Sequence, residues 1–289
     1  YWIFENININ LLFVSSSFAF LLVTIPLIYQ LKKQIDLKMG VFSLQKLIQD
    51  IKLGLPLTLN YIVDTIVNIG DRYVIAFFLG ATAVGYYNPA YVIGSLIILF
   101  AKVSGVVLPA LMSKLVDKGD EYKAQKMINY TIKGYLLLAI PFVVGSVVFS
   151  KPLLFVYTNE DISNNSYLIM PIIALGSIFY GLNIILSNVL FVRMKTVLMF
   201  RANALVVIVN LVLNLVFLYY FKDIMVAAIT TLVSYTVAFL YVLPKVNREW
   251  VINFETKVIK KSIIASIIMG LVMYWYILIF NESMNNIGT

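Results

Sequence analysis

The sequence contains no cysteine and no histidine. That excludes disulfides, thiol chemistry and histidine-ligated metals. Charge is scarce as well: Asp, Glu, Lys and Arg make up 12% of the chain, against roughly a quarter in soluble domains. There is no phosphate-cradling glycine loop, no metal-ligand cluster and no nucleophile–histidine pair, so neither cofactor nor metal is expected, nor an enzyme. Asp64 and Asp71, about two turns or roughly 10 Å apart on one helix, make a weak hydrolytic carboxylate pair.

What fills the chain instead is apolar. Of its 289 residues 61% are hydrophobic, and mean hydropathy is +0.92. Charge-free runs extend from Glu5 to Lys32, Lys133 to Lys151, Asp161 to Arg193, Arg201 to Lys222, Asp223 to Lys245 and Lys261 to Glu282. A helix crosses the hydrocarbon with roughly 20 apolar residues. One such run would fit a buried core helix; so many in one chain fit an all-α integral membrane protein. About eight transmembrane helices are expected, at 8–31, 54–79, 86–111, 130–150, 166–191, 199–221, 224–244 and 261–280. The first residue is Tyr1, and no basic segment precedes the first apolar run. The chain therefore reads as starting partway through a longer protein.

The net charge of +8 is sorted by loop. The first, third, fifth and seventh connections hold 17 Lys and Arg; the second, fourth and sixth hold only Lys151 and Lys222. By the positive-inside tendency the odd-numbered loops are cytoplasmic. The same sorting removes the need for a nucleic-acid partner. In the first loop, Leu44, Leu47, Ile48 and Ile51 fall on one helical face. Two readings fit equally: a helix lying on the membrane surface, or the lead-in to span two. Pro26, Pro56, Pro109, Pro141 and Pro171 read as ordinary kinks rather than transporter hinges.

Span two carries the chemistry. At 100° per residue, Asn60, Asp64, Asn68 and Asp71 lie within about 80°, and Arg72 follows Asp71. Charges within a span are costly and usually face a bundle interior or a watery cavity, so this stripe is expected to line a wet cavity. On span three, Asn88, Tyr91, Ser95 and Lys102 share a face. Lys102 lies roughly 15 Å from the basic end of its span and Asp64 about as deep, so the two can meet across the turn from Gly80 to Gly85. A structural ion pair and a substrate or proton site are both compatible with that, and we favour the site. Arg72 is free to snorkel, pair with Asp71 or enter a cavity. Asn203, Asn210 and Asn214 on span six, and Tyr180, Asn183 and Ser187 on span five, read as interhelical glue.

A series of short elements then resembles a known family. Leu53-Gly54-Leu55-Pro56-Leu57 opens span two. Asp71-Arg72-Tyr73-Val74-Ile75, Phe78-Leu79-Gly80, Ala83-Val84-Gly85-Tyr86-Tyr87, Leu108-Pro109 and Asn210-Leu211-Val212-Leu213-Asn214 follow. Their order, over about residues 44 to 245, resembles Wzx-type polysaccharide and O-antigen flippases of the multidrug/oligosaccharidyl-lipid/polysaccharide exporter superfamily. The resemblance implies a two-lobed transporter of about 12 to 14 helices working by alternating access, of which this chain is the C-terminal lobe. Residues 1–31 would then be the last helix of the N-terminal lobe, 32–53 a cytoplasmic amphipathic linker, 54–244 the C-terminal bundle, and 245–289 an extra helix and tail. It further implies movement of undecaprenyl-pyrophosphate-linked oligosaccharide across the bacterial inner membrane. Membrane lipids, a polysaccharide polymerase, chain-length proteins and a coupling H+ or Na+ would be its partners. Lys102 and Arg72 would contact pyrophosphate; Asp64 and Asp71 would bind sugar hydroxyls or a proton. A drug/cation antiporter of the same superfamily is the nearest alternative, and a membrane-embedded polymerase is the runner-up from another class.

Overall fold

The computed structural model describes the backbone of residues 9–34 and 43–287, and the side chains of 13–30, 43–52 and 54–276. Part of the expected linker, residues 35–42, lies outside them. The chain divides into two compact units, 1–49 and 50–289. The first contains α1 (Ile9–Gln34), whose described side chains are all exposed and mostly apolar.

The described residues of the second unit are all helical or in short connections. They comprise the rest of α2 (Leu44–Leu79), then α3 (Ala81–Gly94), α4 (Ile98–Asp117), α5 (Glu121–Tyr157), α6 (Glu160–Ser166), α7 (Ile169–Val192), α8 (Thr196–Phe221), α9 (Ile224–Asn247) and α10 (Thr256–Ile287). Seven described helices are long and apolar enough to cross a membrane. α2 lies outside that set, and about eight crossings are roughly consistent with the fold if it is added. Its length suffices, and its intramembrane charges lower its hydropathy. The protein is thus an all-α, multi-pass membrane protein.

The amphipathic stretch beginning at Leu44 forms the opening turns of α2, which is the lead-in reading. Two corrections concern span three. The turn between spans two and three is not Gly80 to Gly85 but Gly80 alone, at φ +86°. Only glycine holds that angle without strain, and the next helix starts at once. Span three itself is broken. Between Ser95 and Phe100 the amides of Leu96, Ile98, Leu99 and Phe100 bond to the carbonyls three residues back, at 2.9–3.2 Å. This 3₁₀ stretch separates α3 from α4, and it follows Gly94-Ser95, the kind of pair at which helices kink. Gly94 itself is pressed against α7: a Cβ there would lie 2.6 Å from the Met170 carbonyl oxygen.

α7 is the hub, packing against α3, α4, α5 and α9. It is strongly apolar, with a few polar residues such as Tyr180 and Asn183, and is buried along most of its length. In lipid no hydrophobic force drives helices together; close packing and polar bonds must. Gly181 supplies the first, since a Cβ there would fall 2.0 Å from the Tyr135 hydroxyl of α5. That hydroxyl supplies the second, donating to the Ser177 carbonyl at 2.7 Å. α8 packs on α9, and α10 lies against α5.

Opposite ends of the bundle are tied separately. On the lysine-rich side, Arg193 of the α7–α8 turn makes a two-pronged bond to Glu121 at the start of α5, at 2.7 and 3.0 Å. Its guanidinium lies 5.2 Å from the ring of Trp250 in the α9–α10 connection. On the other side, Tyr86 near the start of α3 donates to Asp161 of α6 at 2.6 Å. The third, fifth and seventh connections therefore share one face, and the second and fourth share the other.

Candidate functional site

α2 presents its polar stripe to five other helices, α3, α4, α7, α8 and α9. Deepest among the charged groups toward the lysine-rich end is Asp64. Lys102 of α4 lies 3.5 Å from Asp64 Oδ2, and the Tyr180 hydroxyl of α7 donates to Oδ1. The Asp64 and Lys102 side chains keep 30% and 41% of their surface exposed. α4 runs on to Asp117, so Lys102 lies about 22 Å from its end, deeper than the shorter span implied. One turn below Asp64, Asn60 accepts from Asn203 of α8 at 2.9 Å, and Asn203 accepts from Asn183 of α7 at 3.1 Å. Asn183 Oδ1 is buried with no hydrogen-bond partner.

Two turns from Asp64, Asp71 departs from the expected wet stripe. It is 2% exposed. Oδ1 accepts from Asn214 Nδ2 of α8 at 2.8 Å; Oδ2 accepts from the hydroxyls of Tyr87 (α3) at 3.0 Å and Thr231 (α9) at 2.8 Å. Asn214 also donates to Asn210 Oδ1 and accepts from Thr230. Every donor to Asp71 is neutral, and among the described residues it forms no ion pair. Closure by α3, α8 and α9 is what keeps water out.

Arg72 points elsewhere than Asp71. Its Nε donates to Asn88 Oδ1 at 2.6 Å, another nitrogen reaches the Asn68 carbonyl, and the guanidinium lies 4.6 Å from the Tyr91 ring centroid. Of the three options open to it, neither snorkelling nor pairing with Asp71 is seen. Tyr91 is itself buried, with its hydroxyl 3.2 Å from that of Tyr235 on α9. Asn68 Nδ2 donates to the Asp64 carbonyl within its own helix. Ser95 sits at the α3–α4 break and donates to the Val92 carbonyl, outside the polar layer; the shared face assumed an unbroken helix.

The sequence reading missed the hydroxyls of Tyr235, Tyr87 and Thr231 in this layer; Tyr180, read as glue, stacks on Tyr235 at 4.5 Å and bonds to Asp64. The usable signal is that a tyrosine buried in an apolar helix needs a partner for its hydroxyl. Asn203 and Asn214, read as glue between spans, bind the α2 stripe itself. In chemical terms the layer offers one partly exposed ion pair, one enclosed carboxylate ringed by an amide N–H and two hydroxyl donors, and one guanidinium over a ring. Among the described residues no group of three or more acidic, His or Cys side chains is placed to hold a metal.

This geometry can be set beside known proteins. The family model of the lipid II flippase MurJ matches residues 5–287. The chain belongs to the MurJ flippase family. That family is one of transporters, not enzymes. Among curated relatives, the probable low-salt glycan biosynthesis flippase Agl15 of Haloferax volcanii is 25% identical over 71% of this chain and 43% of its own length. A putative O-antigen transporter of Shigella flexneri is 25% identical over 45% of this chain and 30% of its own. The Wzx-type resemblance accords with both. Among solved structures, MurJ in an inward closed conformation superposes with a TM-score of 0.63 at 22% identity, over 86% of this chain and 52% of MurJ. A superfamily transporter from Pyrococcus furiosus gives 0.60 at 18% identity, over 81% of this chain and 53% of the other. These two establish a shared fold. The MurJ-family chain described here thus spans about half the length, or less, of the relatives it matches.

Proposed function

We propose that this chain forms one wall, the C-terminal lobe, of a flippase that carries undecaprenyl-pyrophosphate-linked oligosaccharide from the inner to the outer leaflet of a bacterial inner membrane by alternating access. In this reading 1–31 is the last helix of the other lobe, 32–53 the linker, 54–244 the lobe proper and 245–289 an added helix, with the odd-numbered loops cytoplasmic. The carrying observation is the Asp64–Lys102 pair: an acid and a base deep in the membrane, 3.5 Å apart, each partly open. A pyrophosphate–sugar headgroup cannot enter hydrocarbon, and a path for it needs exchangeable cationic and hydroxyl-binding partners. Lys102 takes the pyrophosphate, with Arg72 held ready by Asn88 above it; Asp64, Asn60 and Asn68 meet sugar hydroxyls.

Asp71 supports a second role at the same site. Its carboxylate is a hard ligand, enclosed by an α8 amide N–H and an α9 hydroxyl that donate to it. We assign it to the coupling H+ or Na+, whose binding would compete with the hydrogen bonds that hold α2 to α8 and α9. A polymerase and chain-length proteins would take up the product.

The test is paired. The full-length protein should restore surface polysaccharide to a flippase-deficient strain and should not export a cationic dye. Dye export without restoration would instead favour the drug/cation antiporter.

A further inference from the structure

Four buried tyrosines join the surroundings of the two α2 carboxylates: Tyr87 and Tyr91 on α3, Tyr180 on α7 and Tyr235 on α9. Phenylalanine would fill an apolar interior as well; what tyrosine adds is a hydroxyl that needs a partner. All four hydroxyls have one. Tyr87 donates to Asp71 at 3.0 Å, and Tyr180 donates to Asp64. The Tyr91 and Tyr235 hydroxyls lie 3.2 Å apart and serve each other. The rings are in contact too. Tyr180 stacks on Tyr235 at 4.5 Å, and the Tyr87 and Tyr91 centroids are 5.7 Å apart.

Tyr235 is the member that reaches both sides. Its ring stacks on Tyr180, the hydroxyl donor to Asp64. Its hydroxyl meets Tyr91, whose ring lies 4.6 Å from the Arg72 guanidinium. One turn earlier on the same helix, Thr231 donates to Asp71 at 2.8 Å. Residues four apart share a helix face, so α9 offers one contact to the surroundings of each carboxylate. There is little slack behind that face. A Cβ at Gly176 of α7 would lie 3.2 Å from the Leu232 Cα and 3.4 Å from the Tyr235 ring. With α9 seated on the α7 backbone, a displacement is passed on rather than absorbed.

We propose that Tyr235 is a positioning residue through which α9 links the Asp71 pocket to the Asp64–Lys102 pair. An ion that competes for Asp71 costs Thr231 its bond and frees α9. Tyr235 then moves against Tyr180 and takes its hydroxyl off Asp64. With one donor fewer, the Asp64 carboxylate holds Lys102 more tightly. The inference rests on the reading of both carboxylates as working sites, but the link itself is measurable without transport.

The test is the rate at which N-hydroxysuccinimide acetate acetylates Lys102 in the purified full-length protein, read peptide by peptide by mass spectrometry. Lys102 keeps 41% of its side-chain surface exposed and is open to such a reagent. Thr231→Val imitates the loss of the Asp71 bond with no ion added. It should slow Lys102 labelling about fivefold, the low end of coupling between sites. Tyr180→Phe, which removes the donor outright, should slow it at least as much. In a Tyr235→Leu background, or Tyr235→Met if leucine impairs folding, Thr231→Val should change labelling by less than about twofold, as independent sites do. Tyr235→Phe keeps the ring and should keep the response. Tyr135→Phe loses a buried hydroxyl bond elsewhere and should keep it too. Labelling indifferent to Thr231→Val would overturn the proposal, and so would a response that survives loss of the Tyr235 ring. A response that follows this pattern in a protein unable to restore surface polysaccharide would uphold the link and count against the transport reading alone.

Discussion

Asp64 and Asp71 are two turns apart on one helix face, yet they live in different surroundings. Asp64 keeps a cation and an opening; Asp71 has neutral donors and no opening. Sequence periodicity put both on one stripe, because it sees one helix at a time. It could not see that α3, α8 and α9 close over the half nearer the lysine-poor end. The difference predicts opposite mutational behaviour. Asp71→Ala would strand the Tyr87 hydroxyl in a dry interior and remove one bond each from Thr231 and Asn214. At about 1–3 kcal/mol for such loss, thermal unfolding in detergent should show a destabilisation of about 2 kcal/mol. Asp64→Asn keeps an acceptor for Tyr180 and should change stability by less than about 1 kcal/mol in the same measurement. Equal losses at the two positions would mean that the contrast in burial has no energetic weight.

Among the elements, α7 was legible as a span but not as the hub. Its run of apolar residues says only that it is buried in something. What makes it central is the set of small residues that admit its neighbours, and these look unremarkable without the partners. Gly181→Ala would place a methyl 2.0 Å from the Tyr135 hydroxyl, so α5 must shift or Tyr135 must give up its bond to Ser177. A cost of about 1–3 kcal/mol is expected, read as a lower unfolding temperature; an unchanged temperature would show that α5 yields freely. The α3–α4 break had a sequence signal in Gly94-Ser95 that an unbroken apolar run concealed. The elements are also tied at their basic ends. The Arg193 guanidinium, hydrogen-bonded to Glu121, holds that carboxyl below its usual 4.5. A carboxyl lowered on folding contributes above its unfolded value and loses that contribution as pH falls through its folded one. The tie joining α5, the α7–α8 turn and the α9–α10 connection should therefore hold at neutral pH and loosen below about pH 4.5. Amide exchange around Trp250 that stays slow through that range would contradict this.

For the molecule as a whole, the alternation of lysine-rich and lysine-poor connections was the most readable feature of all. Charge sorting needs only the loops, and the Glu121–Arg193–Trp250 and Tyr86–Asp161 contacts gather those loops at two ends independently. The family followed from short motifs in series. The full polar layer did not, because it is assembled from side chains on six helices, of which α7, α8 and α9 are distant in sequence from α2. Orientation is directly testable, since the chain has no cysteine to remove. Single cysteines at Lys118 and Lys195 should resist an impermeant thiol reagent in intact cells, whereas one at Asn159 should react; the reverse pattern would invert the assigned topology. The central claim is that the Asp64–Lys102 pair serves transport rather than the survival of two charges in lipid. Replacing both partners of an ion pair with neutral groups of similar size is close to neutral for stability. The deciding measurement is therefore surface polysaccharide in a flippase-deficient strain carrying full-length Asp64→Asn/Lys102→Met at wild-type abundance. The path assigned here predicts a loss of at least about tenfold; wild-type polysaccharide from that double variant would contradict it.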